Sequence, residues 1–274
     1  MKKFILILSM FISLPISAQY VLDNELYYDV YVNNYIKNGY SVIVPLKGKS
    51  MTPFIFSGER VLLEKAYTIN IGDIVLAHLP NNGGMFVVHR VYNITDEAVI
   101  LMGDGNITAY EVCHPDSVKA VCNAKYKDDY AIRMDTDYQK SKAELWKACL
   151  EQREELISVC GTGDDFFWKE LFRSSITSKQ PPLVSIRPSC EIINIENNKF
   201  IFNTANTVID FSKLIKFNKS AMFLFNKMKG KKFTINDMMG VLLQEYNIDE
   251  QTAYDDCVEL LISWFHRGIL KIGD

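Results

Sequence analysis

The sequence predicts a mainly β domain followed by a small α+β domain, and three observations carry that reading. Between Tyr40 and about Ala131, short apolar runs alternate with Gly, Asn and Pro punctuation roughly every ten residues, the rhythm of an all-β unit. From Pro181 onward, short strand-like runs lead into three longer segments with helical periodicity. Between them, Ser174 to Pro182 is polar and closed by proline, a linker signal. The 274 residues fit two domains at roughly 150 each. Apolar residues at 48% and charged residues at 23% describe packed cores and exclude disordered or low-complexity chains.

The elements follow in order. Met1-Lys-Lys and the apolar run Phe4 to Ala18 have the layout of a secretory signal, with small residues at Ser17 and Ala18. At about 15 residues the run is short of the ~20 that span a bilayer as a helix. Three readings of residues 1–19 stay open: a cleaved signal, a retained membrane anchor, or a buried or mis-started N-terminus. The first two place the protein in the cell envelope; translation from Met10 would keep it in the cytoplasm. Asn24 to Asn38 predicts a short amphipathic helix closed by Gly39. Strands are predicted at 41–46, 60–64, 73–77, 85–91, 98–102 and 118–121. Lys140 to Ser158 and Phe166 to Phe172 read as helices, interrupted by Gly161-Thr-Gly-Asp-Asp165.

The C-terminal part predicts strands near 183–186, 191–195 and 199–202, with Leu214–Phe217 as a fourth candidate. Helices follow at 220–228, 235–245 and 251–268, capped by Ser220, Thr234 and Asp249. The resulting domains are 1–19 as signal or anchor, 24–135 mainly β, 136–180 as helical connector and linker, and 181–274 as the α+β module.

Charge and cysteines bound the partners. The formal net charge is −3, and residues 181–274 carry equal numbers of basic and acidic side chains. A nucleic-acid backbone is therefore not the expected partner. The six cysteines show no CxxC and no Cys/His metal spacing, so no metal or cofactor is expected.

The chemistry concentrates in four boxes: Gly48-Lys-Ser50-Met51-Thr-Pro53, Gly72-Asp73, Val88-His89-Arg90 and Gly103-Asp104-Gly-Asn106. In this order they resemble the type I signal peptidase superfamily, whose β fold is shared with LexA-type self-cleaving proteins. The resemblance covers roughly Tyr40 to Tyr130. It implies Ser50 as nucleophile, and at the general-base position this chain has His89 where many relatives have lysine. It implies Asp104 as the acid that orients the imidazole, with Glu111 behind it, and Met51 and Pro53 as a wall for small substrate side chains. The residue chemistry agrees independently. A serine hydroxyl needs a neighbour to take its proton, and histidine titrates in the range where it can. Taken alone, Ser50 reads as a surface hydroxyl, His89 as a core histidine, and Gly103–Asn106 as a type I′ hairpin turn. Lys47 and Lys49 read as solvated side chains.

The C-terminal part resembles the PqqD-like winged-helix domain, on Ile215-Lys-Phe-Asn-Lys-Ser-Ala221, Met228-Lys-Gly-Lys-Lys-Phe-Thr234 and His266-Arg-Gly-Ile-Leu270. That family binds leader peptides of ribosomally made precursors by adding a strand to a sheet edge. The implied edge is Cys190–Phe202 or Leu214–Phe217, beside a groove lined by Leu260, Leu261, Trp264 and Phe265. The alternative is that these four side chains form the module's own core. Together the two parts imply a serine endopeptidase that trims leader or signal segments from precursor peptides. A non-catalytic peptide-binding adaptor and a self-cleaving regulator are the rival readings.

Overall fold

The computed structural model describes residues 5–6, 32–80, 84–128, 130–195, 198–203 and 215–273. Most of the predicted signal or anchor (1–19) lies outside these residues. Within it, β1 (Ile5–Leu6) pairs in parallel with Ser41 and Val42. Of the helix predicted over 24–38, α1 (Asn34–Lys37) is described. No helix among the described residues is long and apolar enough to cross a membrane.

The chain divides into two compact units that interleave along the sequence. Unit 1 comprises residues 1–135 and 151–163; unit 2 comprises 136–150 and 164–274. The segment 136–180, read from sequence as a connector, is thus shared between them.

Unit 1 is built on β1, β2 (Ser41–Pro45), β3 (Arg60–Lys65), β4 (Ile74–Leu79), β5 (Met85–Ile94), β6 (Val99–Met102), β7 (Glu111–Cys113), β8 (Val118–Lys127) and β9 (Tyr130–Arg133). They form one sheet in the order β1-β2-β3-β8-β4-β5-β6-β7, with β9 paired to β8 and every pairing except β1–β2 antiparallel. Register shifts at Leu62/Leu63, Leu76/Ala77 and Val91/Asn93 add the local twist of β-bulges. Val75, Ala77, Leu79, Val91, Val99, Leu101 and Cys113 meet in one buried cluster, as alternation along β4 to β7 requires. The short strands β7 and β9 carry no strong apolar alternation, which is why the sequence pattern passed over them. Helix α3 (Arg153–Val159) closes the unit.

Unit 2 begins with α2 (Asp137–Ala148), capped by Thr136, and α4 (Asp165–Ile176), capped by Asp164. Then come β10 (Val184–Ile186), β11 (Cys190–Ile195), β12 (Asn198–Asn203), β13 (Ile215–Lys216), α5 (Lys219–Met228), β14 (Lys232–Phe233), α6 (Ile235–Glu245), α7 (Glu250–His266) and β15 (Leu270–Ile272). The strands make two three-stranded sheets, β14-β10-β15 and β11-β12-β13. Thr234 caps α6 in a reciprocal box with Asp237, and Asp249 caps α7. Helix α5 departs from expectation: Asn218 accepts from the Ala221 N–H, and Ser220 donates to Asn218. The helix starts at Lys219, and its cap lies two residues upstream of the expected one.

Helices α2 and α4 cover α7. The Phe172 ring stacks on Phe265 at 4.3 Å, and Trp146 meets Trp168 edge-on at 5.9 Å. Ser141 Oγ donates to the Leu270 carbonyl, tying α2 to β15. All six cysteines are free thiols, and burial pushes those of Cys122, Cys190 and Cys257 up to about 12, so they serve as packing.

Two predictions follow from unit 2, whose Trp146, Trp168 and Trp264 are the chain's three tryptophans, so that tryptophan fluorescence reports on this unit. Phe172→Ala should lower its stability by about 3–5 kcal/mol in a denaturant titration, the cost of emptying a buried aromatic site. The second concerns His266, whose buried Nδ1 has no hydrogen-bond partner among the described residues and whose ring meets Tyr138 edge-on at 4.8 Å. Burial, then Lys169, Arg267 and Lys142 against the opposing pull of Asp165, hold its imidazole below the ordinary value. The unfolded chain therefore takes up this proton first, so stability falls as pH drops below about 6.5 and levels off beneath the depressed folded value. His266→Gln should flatten that part of the pH dependence of the fluorescence midpoint.

Candidate active site

The site is assembled from two strands and two loops of unit 1. β5 carries His89 and Arg90, which pair across to Val75 and Ile74 of β4. Neighbouring strand positions send side chains to opposite faces, so the two go to different partners. β7 carries Glu111, opposite Leu101 of β6. The first loop, after β2, folds tightly around Ser50, with Thr52 N–H donating to the Lys49 carbonyl and Phe54 N–H to that of Met51. The second loop, after β6, is Gly103–Asn106.

His89 joins the nucleophile candidate to an acid. Its Nε2 lies 3.0 Å from Ser50 Oγ, and its Nδ1 lies 2.9 Å from Glu111 Oε2. An ionised carboxylate only accepts, so the Nδ1 carries the proton and Nε2 presents its lone pair to the serine hydroxyl. His89 is 5% exposed and the Glu111 side chain 15%, while Ser50 is half-buried and reachable. The Ser50 carbonyl accepts from the Gly105 N–H at 2.7 Å, and its own N–H has no acceptor among the described residues. That free amide is a donor available to a developing oxyanion. A cavity of about 470 Å³ borders Glu111, with Leu79, Pro80, Tyr110 and Val112 among its walls. Among the described residues no cluster of His, Cys, Asp and Glu is arranged to hold a metal ion.

Asp104, expected to orient the imidazole, is placed differently. Its two oxygens accept from Arg90 Nε and an Arg90 terminal nitrogen, both at 2.7 Å, while the other terminal nitrogen donates to the Gly72 carbonyl at 2.8 Å. The Arg90 guanidinium also lies over the Phe54 ring, 4.4 Å from its centre. A planar fork one residue from the histidine matches a carboxylate in two bonds where an imidazole offers one, so Asp104 goes to Arg90. Glu111, ranked second from the sequence, is the acid that reaches His89. The signal for this exchange was present in Arg90, a cation beside the base that needs an anion of its own.

The Gly103–Asn106 turn also differs from expectation. A type I′ turn needs left-handed backbone at both central residues, and neither Asp104 nor Gly105 has it. The glycines serve close approach instead. A Cβ on Gly103 would come 2.5 Å from the Ser50 carbonyl oxygen, and one on Gly105 would come 2.6 Å from that of Lys49. Only glycine lets this loop lie against the backbone of the nucleophile.

The expected binding surfaces are corrected too. Met51 and Pro53 are buried, so they support the Ser50 loop from inside and do not form an open wall. Leu261, Trp264 and Phe265 are fully buried and Leu260 half-buried, so the proposed groove is core, closed by the Phe172–Phe265 stack and by Phe217 and Phe225 around Trp264. Lys229 donates to the Cys190 carbonyl at 2.9 Å, a tie within the module.

Comparison with known families separates the two parts. Residues 13–119 match the family described as Peptidase S24-like, and residues 195–270 match that of coenzyme PQQ synthesis protein D (PqqD). No curated protein matches the chain. The first match contains Ser50, His89, Asp104 and Glu111; the second runs from the last residue of β11 to the first of β15. The chain joins a LexA- and signal-peptidase-like domain to a PqqD-like domain.

Proposed function

We propose that the protein is a serine endopeptidase that cuts leader or signal segments from precursor peptides, with the substrate captured by the PqqD-like domain. The observation that carries this is the hydrogen-bonded chain from Ser50 Oγ through His89 to Glu111. The Peptidase S24-like match supports a serine-peptidase fold, and the PqqD match supports a peptide partner.

The chemistry runs through this chain's own atoms. His89 Nε2 takes the Ser50 hydroxyl proton as Oγ attacks the scissile carbonyl carbon. Glu111 holds the tautomer and stabilises the imidazolium that results. The Ser50 amide receives the carbonyl oxygen as it becomes an oxyanion. His89 then returns the proton to the departing amine. Water, deprotonated by the same nitrogen, releases the acyl group and restores Ser50.

Capture would occur at a strand edge, since the side chains of α7 that face the core are occupied. Among the described residues β11 pairs on one side only, with β12, and offers a row of backbone groups for an added strand. Holding the leader there raises the local concentration of the cut site, commonly to the millimolar range for short linkers, so a weak active-site motif suffices. The apolar run Phe4 to Ala18 supports action in the cell envelope.

Comparison of protein N-termini across the native host, carrying wild-type protein or Ser50→Ala, tests the reading. A small set of processed N-termini should vanish in the mutant while uncut precursors accumulate and peptide binding persists; an unchanged set overturns it. Glu111→Gln should lower kcat by on the order of 10⁴-fold, by analogy with the loss of a triad acid, with KM little changed. Loss on that scale from Asp104→Asn but not from Glu111→Gln would reverse the assignment.

A further inference from the structure

We propose that Arg153 is a positioning residue for Ser50, although it lies beyond the stretch that matches the Peptidase S24-like family. The inference rests on the serine-peptidase reading and extends it. Arg153 opens α3, is 4% exposed, and donates to the Asn106 carbonyl at 3.0 Å. A cation in the first turn of a helix works against the helix dipole, and burying it adds a desolvation cost. Such a placement holds where the guanidinium meets fixed acceptors, and one of them is this loop.

The Gly103–Asn106 loop is therefore gripped by two arginines. Arg90 holds Asp104, and Arg153 holds Asn106, whose N–H donates to the Gly103 carbonyl at 3.0 Å. Between these anchors, Gly105 donates to the Ser50 carbonyl. Loss of either anchor lets Gly105 drift, and the Ser50 carbonyl and hydroxyl drift with it. The same returning segment touches the nucleophile's loop from a second side. Gly163, at φ +61°, lies where any Cβ would collide with the Pro53 carbonyl oxygen and crowd the Phe56 ring. Residues 151–163 thus brace both loops of the site.

The test is the rate of Ser50 labelling by a fluorophosphonate probe in the full-length chain. Wild-type protein should label and Ser50→Ala should not. Arg153→Ala should lower the saturating labelling rate constant by about tenfold to a hundredfold, the cost of misplacing a reacting atom by a fraction of an ångström to one ångström. The probe concentration giving half-maximal rate, and the pH midpoint of labelling, should stay as in wild type, because His89 and Glu111 are untouched. Arg153→Lys, which can still donate to the Asn106 carbonyl, should recover part of the rate. Simple loss of folding would reduce the fraction of chains labelled and leave the rate constant of the remainder unchanged, and that pattern overturns the proposal. So does a wild-type rate in folded Arg153→Ala. Should the alanine variant not fold, Arg153→Gln and Arg153→Lys decide: equal, wild-type rates overturn the proposal, and a slower glutamine variant supports it. A wild-type chain that neither labels nor cuts precursors overturns the peptidase reading, and this inference with it.

Discussion

The close approach of the Gly103–Asn106 loop to the backbone of Ser50 is the constraint on which the site depends. A sheet can bring His89 and Glu111 together by register alone, because β5, β6 and β7 are consecutive neighbours. A serine on a loop has no such register. Its position is set by the 2.7 Å bond from the Gly105 N–H to its carbonyl, and that bond exists because two Cβ atoms are missing. The glycines lose more conformational entropy on folding than other residues would, and that cost is offset by a close contact that aligns Oγ with Nε2.

Charge allocation is the second constraint. His89 and Arg90 are adjacent, and two carboxylates, Asp104 and Glu111, come within reach of that strand. The bidentate Arg90–Asp104 pair is largely buried, with side chains 15% and 5% exposed. Such pairs gain little net stability after desolvation, yet breaking one is costly because it strands a charge. The pair's contribution is therefore specificity of arrangement. It commits Asp104 to the arginine face of β5, leaves Glu111 for the imidazole, and ties the second loop to the strand that bears the base.

How much of this was legible in the sequence divides along the same physical lines. Strands β2 to β6 and helices α5 to α7 were legible because apolar period marks them directly, and for α6 and α7 the capping residues Thr234 and Asp249 do so as well. Ser50 and His89 were singled out because their boxes resemble those of a known family; taken alone, each residue reads as an ordinary hydroxyl and an ordinary core histidine. The pairing of Asp104 was not legible, since an acid in a motif does not state its partner, and its competitor Arg90 had to be weighed in three dimensions. Arg153 lay hidden for a related reason: it sits among the glutamates of an ordinary surface-like helix, about fifty residues from the loop it holds. The buried state of Leu261, Trp264 and Phe265 depended on α4, a helix that the sequence places wholly within the connector 136–180.

The interleaved chain gives these details a common consequence. Neither family match coincides with a folded unit: the site of unit 1 is braced by residues 151–163, and the core of unit 2 is completed by α2 and α4, all outside the matched stretches. A cut at the polar stretch near Pro182 would strip α7 of Phe172, and a cut after Asp135 would strip the Ser50 loops of Arg153 and Gly163. The two bodies are joined by three covalent crossings, at 135–136, 150–151 and 163–164, and not by one linker. The segment 151–163, which braces the Ser50 loops, is thereby joined at its two ends to α2 and α4 of unit 2.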